Sequence, residues 1–418
     1  MDALRLIGGA PLGGELRVSG SKNAALPLMA AALLAEGESE LTGVPDLADV
    51  RTLGKVLDHL GARVVREGGT LRLDATRLSG DDAPYDLVRT MRASILVLGP
   101  LLARRGEAKV SLPGGCAIGA RPIDQHLKGL TRLGATITLE HGYVHARAER
   151  LVGAEVVFDM PTVTGTENLM LAASRAQGTT ILRNAAREPE VIDLAVALGG
   201  MGVDIEGAGT ADIVVHGATR LTPYRHPVVA DRIELGTFLV AGAMAGDGLR
   251  VVGGVPAHQA VLIDKLRQSG ATLDVDGGVV TVHRARRPRP VDFQTAPYPG
   301  FPTDMQAQLM THLALADGVS TVSETIFENR FMHVAELNRL GAAIRVDGGR
   351  AVVHGVKRLS GTTVMATDLR ASASLVLAGL VADGETIVRR IYHLDRGYEH
   401  IERKLVSVGA QIERFREA

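Results

Sequence analysis

Ser269-Gly270-Ala271-Thr272-Leu273-Asp274-Val275-Asp276-Gly277-Gly278-Val279-Val280-Thr281-Val282 is the stretch from which the architecture unfolds. A helix ends at a glycine, apolar and polar residues then alternate, a Gly-Gly turn follows, and the alternation resumes. That pattern signals two antiparallel strands with one wet face. The same signal recurs at Leu60-Gly61-Ala62, Leu133-Gly134-Ala135, Met201-Gly202-Val203, Leu340-Gly341-Ala342 and Val408-Gly409-Ala410. The glycines stand 68 to 73 residues apart, so six units consume the chain of 418 residues. The sixth stops after its first strand, Gln411 to Phe415.

Each unit carries an earlier and more apolar helix, which the reading closes with Gly37, Gly106, Gly178, Gly248, Gly318 or Gly384. A short strand follows, such as Thr386 to Arg389, and then a more polar helix. Helices such as Ala371 to Val381 are apolar nearly all round, which is the composition of a buried helix. The expected architecture is α/β: βαβαββ repeats with helices inside and sheets outside, grouped three to a domain.

Composition narrows the function. Hydrophobic residues make up 46% and charged residues 22%, in the range of globular chains. The net charge of −1 lacks the basic field of a dedicated nucleic-acid binder. Cys116 is the one cysteine, so no intramolecular disulfide is possible. CxxC and HExxH patterns are absent, and no metal site is expected. The apolar run Ala24 to Ala35 is too short to span a bilayer and reads as a buried helix. A cytoplasmic chain without membrane attachment is expected. Oligomeric state is not legible.

Charge recurs in register with the repeat. Counting back from each closing glycine reaches Lys22, Arg92, Thr164, Arg232, Asp304 and Arg370. Four cations at helix N-termini oppose the helix dipole, and an anionic ligand would compensate them. Pairing with nearby carboxylates such as Asp231 or Asp368 is the plainer alternative. Gly20-Ser21-Lys22-Asn23 offers a capping serine and a phosphate-binding lysine, without Walker spacing. The loop Leu112 to Asp124 holds two Pro and three Gly around Cys116, with Arg121 nearby, and reads as a lid bearing either a reactive or an inert thiol. Phe301-Pro302-Thr303-Asp304-Met305 sets a carboxylate at the fifth helix start, either as general base or as simple cap. Glu328–His333 and Leu394–Tyr398 each add a loop arginine.

Taken together, Ser19–Ala25, Thr90–Ser94, Pro113–Asp124, Ala186–Glu190, Phe301–Gln308, Glu328–His333, Ala366–Ser372 and Asp395–Tyr398 resemble the UDP-N-acetylglucosamine enolpyruvyl transferases of the EPSP synthase superfamily. The resemblance runs along essentially the whole chain, with no departure at a position that the family uses for chemistry. Some relatives carry aspartate where Cys116 stands. It implies a two-domain inside-out α/β barrel with the ligands between the domains: residues 1–21 with 230–418 form one domain and 22–229 the other. It implies transfer of the enolpyruvyl group of phosphoenolpyruvate to the 3-hydroxyl of UDP-N-acetylglucosamine, the first committed step of peptidoglycan synthesis, with no cofactor.

Carried over by position, Lys22, Arg121 and Arg396 would hold the phosphate and carboxylate of phosphoenolpyruvate. Asn23, Arg92, the stretch Arg121-Pro122-Ile123-Asp124-Gln125, the stretch Pro161-Thr162-Val163-Thr164, Asp304 and Ile326 would meet the nucleotide sugar. Arg330 and Arg370 would bind the pyruvyl carboxylate region. Asp304 would act as base. Cys116 would donate the proton, form the 2-(S-cysteinyl)pyruvic acid O-phosphothioketal adduct, and be the residue alkylated by fosfomycin. The alternatives are a shikimate-pathway enolpyruvyl transferase, which lacks the Pro-Gly-Gly-Cys loop and has Lys-Ser at Lys22-Asn23, an RNA 3′-phosphate cyclase-like protein, and an inactive sugar-nucleotide sensor.

Overall fold

A computed structural model describes residues 2–80, 82–88, 91–112 and 123–417, with the side chain of Arg92 excepted. Expectations that fall on Cys116, Arg121, Pro122 and the Arg92 side chain therefore lie outside the described residues. The described residues form two compact units, residues 2–19 with 230–417 (unit 1) and residues 20–112 with 123–229 (unit 2).

Among the described residues there are six four-stranded sheets, one for each repeat. In the fourth repeat the strand Gly246–Val252 pairs in parallel with Leu12–Arg17 and antiparallel with Val279–His283, which pairs in turn with Thr272–Asp276. The truncated sixth repeat is completed from the other end of the chain. Strand Asp2–Ile7 lies between Glu385–Arg389 and Gln411–Arg416, with Leu4 opposite both Val388 and Arg414. Unit 2 closes in a comparable way, since its first sheet takes the strand Arg225–Pro227 from the end of that unit. The strands that precede the first and fourth buried helices in sequence thus belong to each other's units.

The buried helices are α1 (Lys22–Ala31), α2 (a 3-10 turn Arg92–Val97 continuing as Leu98–Arg105), α3 (Val163–Ala173), α4 (Arg232–Ala245), α5 (Gln306–Leu313, after the 3-10 turn Thr303–Met305) and α6 (Ala371–Val381). Ten consecutive residues of α6 and thirteen of α4 are buried, as apolarity on every face requires. The α1, α2 and α3 side chains fill the core of unit 2, and α4, α5 and α6 that of unit 1. Burying whole helices is possible because their backbone groups pair internally, so only the ends demand partners.

All twelve glycines of the two recurring sets have positive φ, from 74° at Gly248 to 148° at Gly318. That left-handed geometry strains any side chain, which is why the repeat is written in glycine. Their places are less uniform than expected. Gly106 caps its helix directly, donating to the Leu102 carbonyl. The helix before Gly248 stops at Ala245, and Gly248 instead sits in a strand where the register shifts between Asp247 and Leu249. An extra residue there is a bulge, and glycine relieves it.

Candidate functional site

In unit 2 the starts of α1 and α3 are held by local caps. Ser21 Oγ accepts from Ala24 N at 3.4 Å, and Thr162 Oγ1 from Gly165 N at 3.3 Å. Asn168, one turn into α3, accepts from Gly99 N at 2.8 Å and donates to the Ile95 carbonyl at 3.3 Å, which ties α2 to α3. Lys22 is 6% exposed, and its Nζ lies 3.0 Å from Asp49 Oδ2 on the neighbouring helix Ala48–His59. An ammonium so buried needs a counter-ion, and Asp49 supplies one.

The stretch 159–164 is tied to the helix Asp124–Arg132. Gln125 accepts from Asp159 N at 2.8 Å and donates to the Met160 carbonyl at 3.2 Å. Thr164 Oγ1 lies 3.4 Å from His126 Nε2. Gln125 is buried and Ile123 partly so. Asp124 and Pro161 are exposed, while Asn23, Thr162, Val163 and Thr164 are partly exposed. This side of unit 2 therefore offers accessible polar groups on a braced frame.

In unit 1 three helix starts meet through charge. Asp304, before α5, receives Arg330 Nη2 on one oxygen at 2.8 Å and Arg370 Nε on the other at 3.2 Å. Arg370 Nη2 stands 3.9 Å from Asp231 Oδ2, whose other oxygen caps α4 by accepting from Ile233 N and Glu234 N. Arg330 and Arg370 are 5% and 2% exposed. Burial works against the Arg370 charge, but Tyr398, Asp231 and Asp304 outweigh it and hold the guanidinium protonated beyond its ordinary range. Arg330 Nη1 and Arg370 Nη2 find no hydrogen-bond acceptor among the described residues. Both guanidinium groups thus carry a buried N–H group without an acceptor among the described residues.

The loop that carries Ile326 and Arg330 is organised by Glu324, a residue the sequence reading passed over. Its carboxylate accepts from Thr295 Oγ1 and Thr303 Oγ1, each at 2.9 Å, and from Ile326 N at 2.8 Å and Phe327 N at 3.2 Å. Asp368 does not pair with a Lys or Arg side chain among the described residues. It caps α6, accepting from Arg370 N at 2.8 Å and Ala371 N at 2.9 Å. Arg396 is partly exposed on the 3-10 turn Leu394–Arg396, which Asp395 ties to the last strand through Arg414.

Of the expected site residues, Asp304, Arg330 and Arg370 are thus in direct contact. Lys22 and Asn23 open α1, and Gln125 is joined to the 159–164 stretch. The alternative that helix-start cations pair with carboxylates holds for Lys22 and Arg370, although Lys22 uses Asp49, whose only sequence signal is an acid in the first turn of a helix. Asp204, Glu206 and His216 gather on an exposed strand pair of unit 2, an arrangement common without a bound ion. Among the described residues no helix is long and apolar enough to cross a membrane.

Residues 6–405 match the family model described as EPSP synthase (3-phosphoshikimate 1-carboxyvinyltransferase). The chain is 62% identical to the UDP-N-acetylglucosamine 1-carboxyvinyltransferase of Anaeromyxobacter dehalogenans strain 2CP-C, over 100% of both chains. It is 55% identical to the enzyme of that name from Desulfatibacillum aliphaticivorans, again over 100% of both. Among solved structures, the enolpyruvyl transferase NikO from Streptomyces tendae aligns over 99% of this chain and 98% of that one, with TM-score 0.89 and 30% identity. The EPSP synthase from Acinetobacter baumannii aligns over 100% of both with TM-score 0.77 at 18% identity, a likeness of fold.

Proposed function

The chain belongs to the EPSP synthase family, and from that premise we propose that it transfers the enolpyruvyl group of phosphoenolpyruvate to the 3-hydroxyl of UDP-N-acetylglucosamine and releases phosphate. The full-length relatives at 55–62% identity carry that activity in their name, whereas the shikimate enzyme is matched among solved structures at 18% identity. Asn23 after Lys22 favours the same choice. The product places the reaction at the first committed step of peptidoglycan synthesis, in the cytoplasm.

The reaction is an addition followed by an elimination. The sugar hydroxyl loses its proton to Asp304 and its oxygen bonds to C2 of phosphoenolpyruvate, while the methylene carbon takes a proton from Cys116. The tetrahedral phospho-ketal then loses that methyl proton and expels phosphate, restoring the enol ether. Every step is redox-neutral, so the chemistry calls for no cofactor.

Negative charge accumulates throughout, and fixed cations stabilise it best in a site cleared of water. Lys22, Arg121 and Arg396 take the phosphate and carboxylate of phosphoenolpyruvate, and Arg330 and Arg370 take the pyruvyl carboxylate region. Asn23, Arg92, residues 121–125, residues 161–164 and Ile326 meet the nucleotide sugar. The observation that carries this reading is the Arg330–Asp304–Arg370 cluster: a carboxylate stands in the middle of a buried cationic pair. A substrate carboxylate that draws the guanidinium groups to itself releases Asp304 to accept the sugar proton.

The test is phosphate release from phosphoenolpyruvate with and without UDP-N-acetylglucosamine. Release that ignores the sugar nucleotide, or that needs shikimate 3-phosphate instead, rejects the assignment. A Cys116→Asp variant should remain active and resist fosfomycin, and its sensitivity would remove the thiol from its role.

A further inference from the structure

Tyr398 follows Arg396 by two residues and has no part in the reaction as set out above. Its side chain is 2% exposed, and its hydroxyl bonds to Thr237 on α4 and Gln308 on α5. The hydrogen directions follow from the donors present. Thr237 donates its O–H to the Ile233 carbonyl at 2.8 Å, so its oxygen accepts from the Tyr398 hydroxyl at 2.9 Å. The phenolic oxygen accepts from Gln308 Nε2 at 3.2 Å. Gln308 also donates to the backbone carbonyl of Asp304 at 2.9 Å. Thr237 and Gln308 are 0% exposed, so no bulk water replaces a lost partner.

Arg370 lies on the same phenol. Its Cζ is 5.2 Å from the ring centroid, a cation–π distance, while Nη1 donates to the Gly397 carbonyl at 3.3 Å and Nε to Asp304. One aromatic side chain therefore touches the cation directly and the carboxylate's backbone through a single amide.

We propose that Tyr398 is a positioning residue: its phenol, anchored through Thr237 to the Ile233 carbonyl, holds the guanidinium of Arg370 and, through Gln308, the backbone of Asp304 at one fixed spacing. The inference rests on the enolpyruvyl-transfer reading, in which Arg370 binds the pyruvyl carboxylate and Asp304 is the base. Burial pushes the phenol above its ordinary range, so it stays a neutral donor across the working pH. Its place in the network is thus constant while charges on substrate change.

The experiment is steady-state kinetics of the full chain carrying Tyr398→Phe, with phosphate release as readout and thermal unfolding measured alongside. Phenylalanine keeps the ring under Arg370 and removes only the hydroxyl. The expected result is a KM for phosphoenolpyruvate raised about tenfold and a kcat lowered by a similar factor, the scale of a misplaced charged hydrogen bond. Thr237→Val, which removes the anchor from the other side, reproduces both changes, and Thr237→Ser keeps wild-type values. A purely structural tyrosine gives a different pattern: kcat falls with the folded fraction and KM does not move. That pattern in both Tyr398→Phe and Thr237→Val, with an active wild type, overturns this inference alone. A wild type that transfers no enolpyruvyl group overturns the functional reading and the inference together.

Discussion

Lys22 Nζ stands 3.0 Å from Asp49 Oδ2, with both side chains less than a tenth exposed. Residues 27 positions apart thus neutralise each other at the first buried helix start. The proposed role of Lys22 is to hold an oxyanion, so Asp49 acts as its counter-ion until one arrives. Replacing Asp49 by Asn keeps the shape and strands the ammonium. The expected cost is about 3 kcal/mol of unfolding free energy, as for other broken buried pairs. Inorganic phosphate should raise the melting temperature of Asp49→Asn more than that of the wild type, because only the variant lacks an anion at Lys22. Equal shifts in the two proteins would separate Lys22 from anion binding.

Asp304 bridges two buried guanidinium groups, and its replacement by Asn separates two properties of the carboxylate. The amide still accepts a hydrogen bond but cannot take a proton from the sugar hydroxyl. Loss of a general base costs roughly 100- to 10,000-fold in rate. Asp304→Asn should lose turnover on that scale while still binding the nucleotide sugar, measurable by calorimetry beside the phosphate-release assay. Turnover within tenfold of wild type would assign the proton to another group.

The repeat was legible because backbone geometry left no choice. Twelve positions need positive φ, and each is glycine. The buried helices were legible from apolarity on every face, and their starts fall within one residue of the positions found by counting back. The partners at those starts were not legible. Asp49, Glu324 and Thr237 look like ordinary helix or loop residues, and what ties them to distant elements are contacts that span 21 to 161 positions. The closing strand Asp2–Ile7 was hidden for a related reason. It supplies one strand of a four-stranded sheet whose other three strands lie at the far end of the chain.

Acid should unfold the protein partly through His312. This residue is fully buried on α5, and Ser269, which donates to the Leu266 carbonyl, accepts from its Nε2 at 2.9 Å. Its Nδ1 has no partner among the described residues, so a second ring proton would be buried unpaired. Burial lowers its pKa from 6.5 to about 4. The unfolded chain therefore binds this proton first, and the associated stability is complete above pH 6.5 and lost as pH falls toward 4. The loss is on the order of 3 kcal/mol over that window. His312→Gln keeps a donor for Ser269 without the titration, and denaturant curves at pH 7 and pH 4.5 should show a correspondingly smaller acid loss. A variant as acid-sensitive as wild type would locate the effect elsewhere.

Glu167 should act in the opposite direction. It is 1% exposed on α3, and its Oε1 is unpartnered among the described residues. Burial foremost, and then the nearby Glu190 and Glu188 carboxylates, push its pKa well above the ordinary range. A raised carboxyl is neutral in the fold when the unfolded chain has already ionised. Its contribution is therefore intact below the unfolded pKa near 4.5 and declines as pH rises toward the folded value. Glu167→Gln imitates the neutral acid at every pH. The variant should match wild type near pH 4 and exceed it in unfolding free energy at pH 8, with the gap opening as pH rises above the unfolded pKa. Denaturant titration at four pH values measures that gap. A difference independent of pH would mean that Glu167 is held ionised in the core, with a cation or a water network supplying what burial removes.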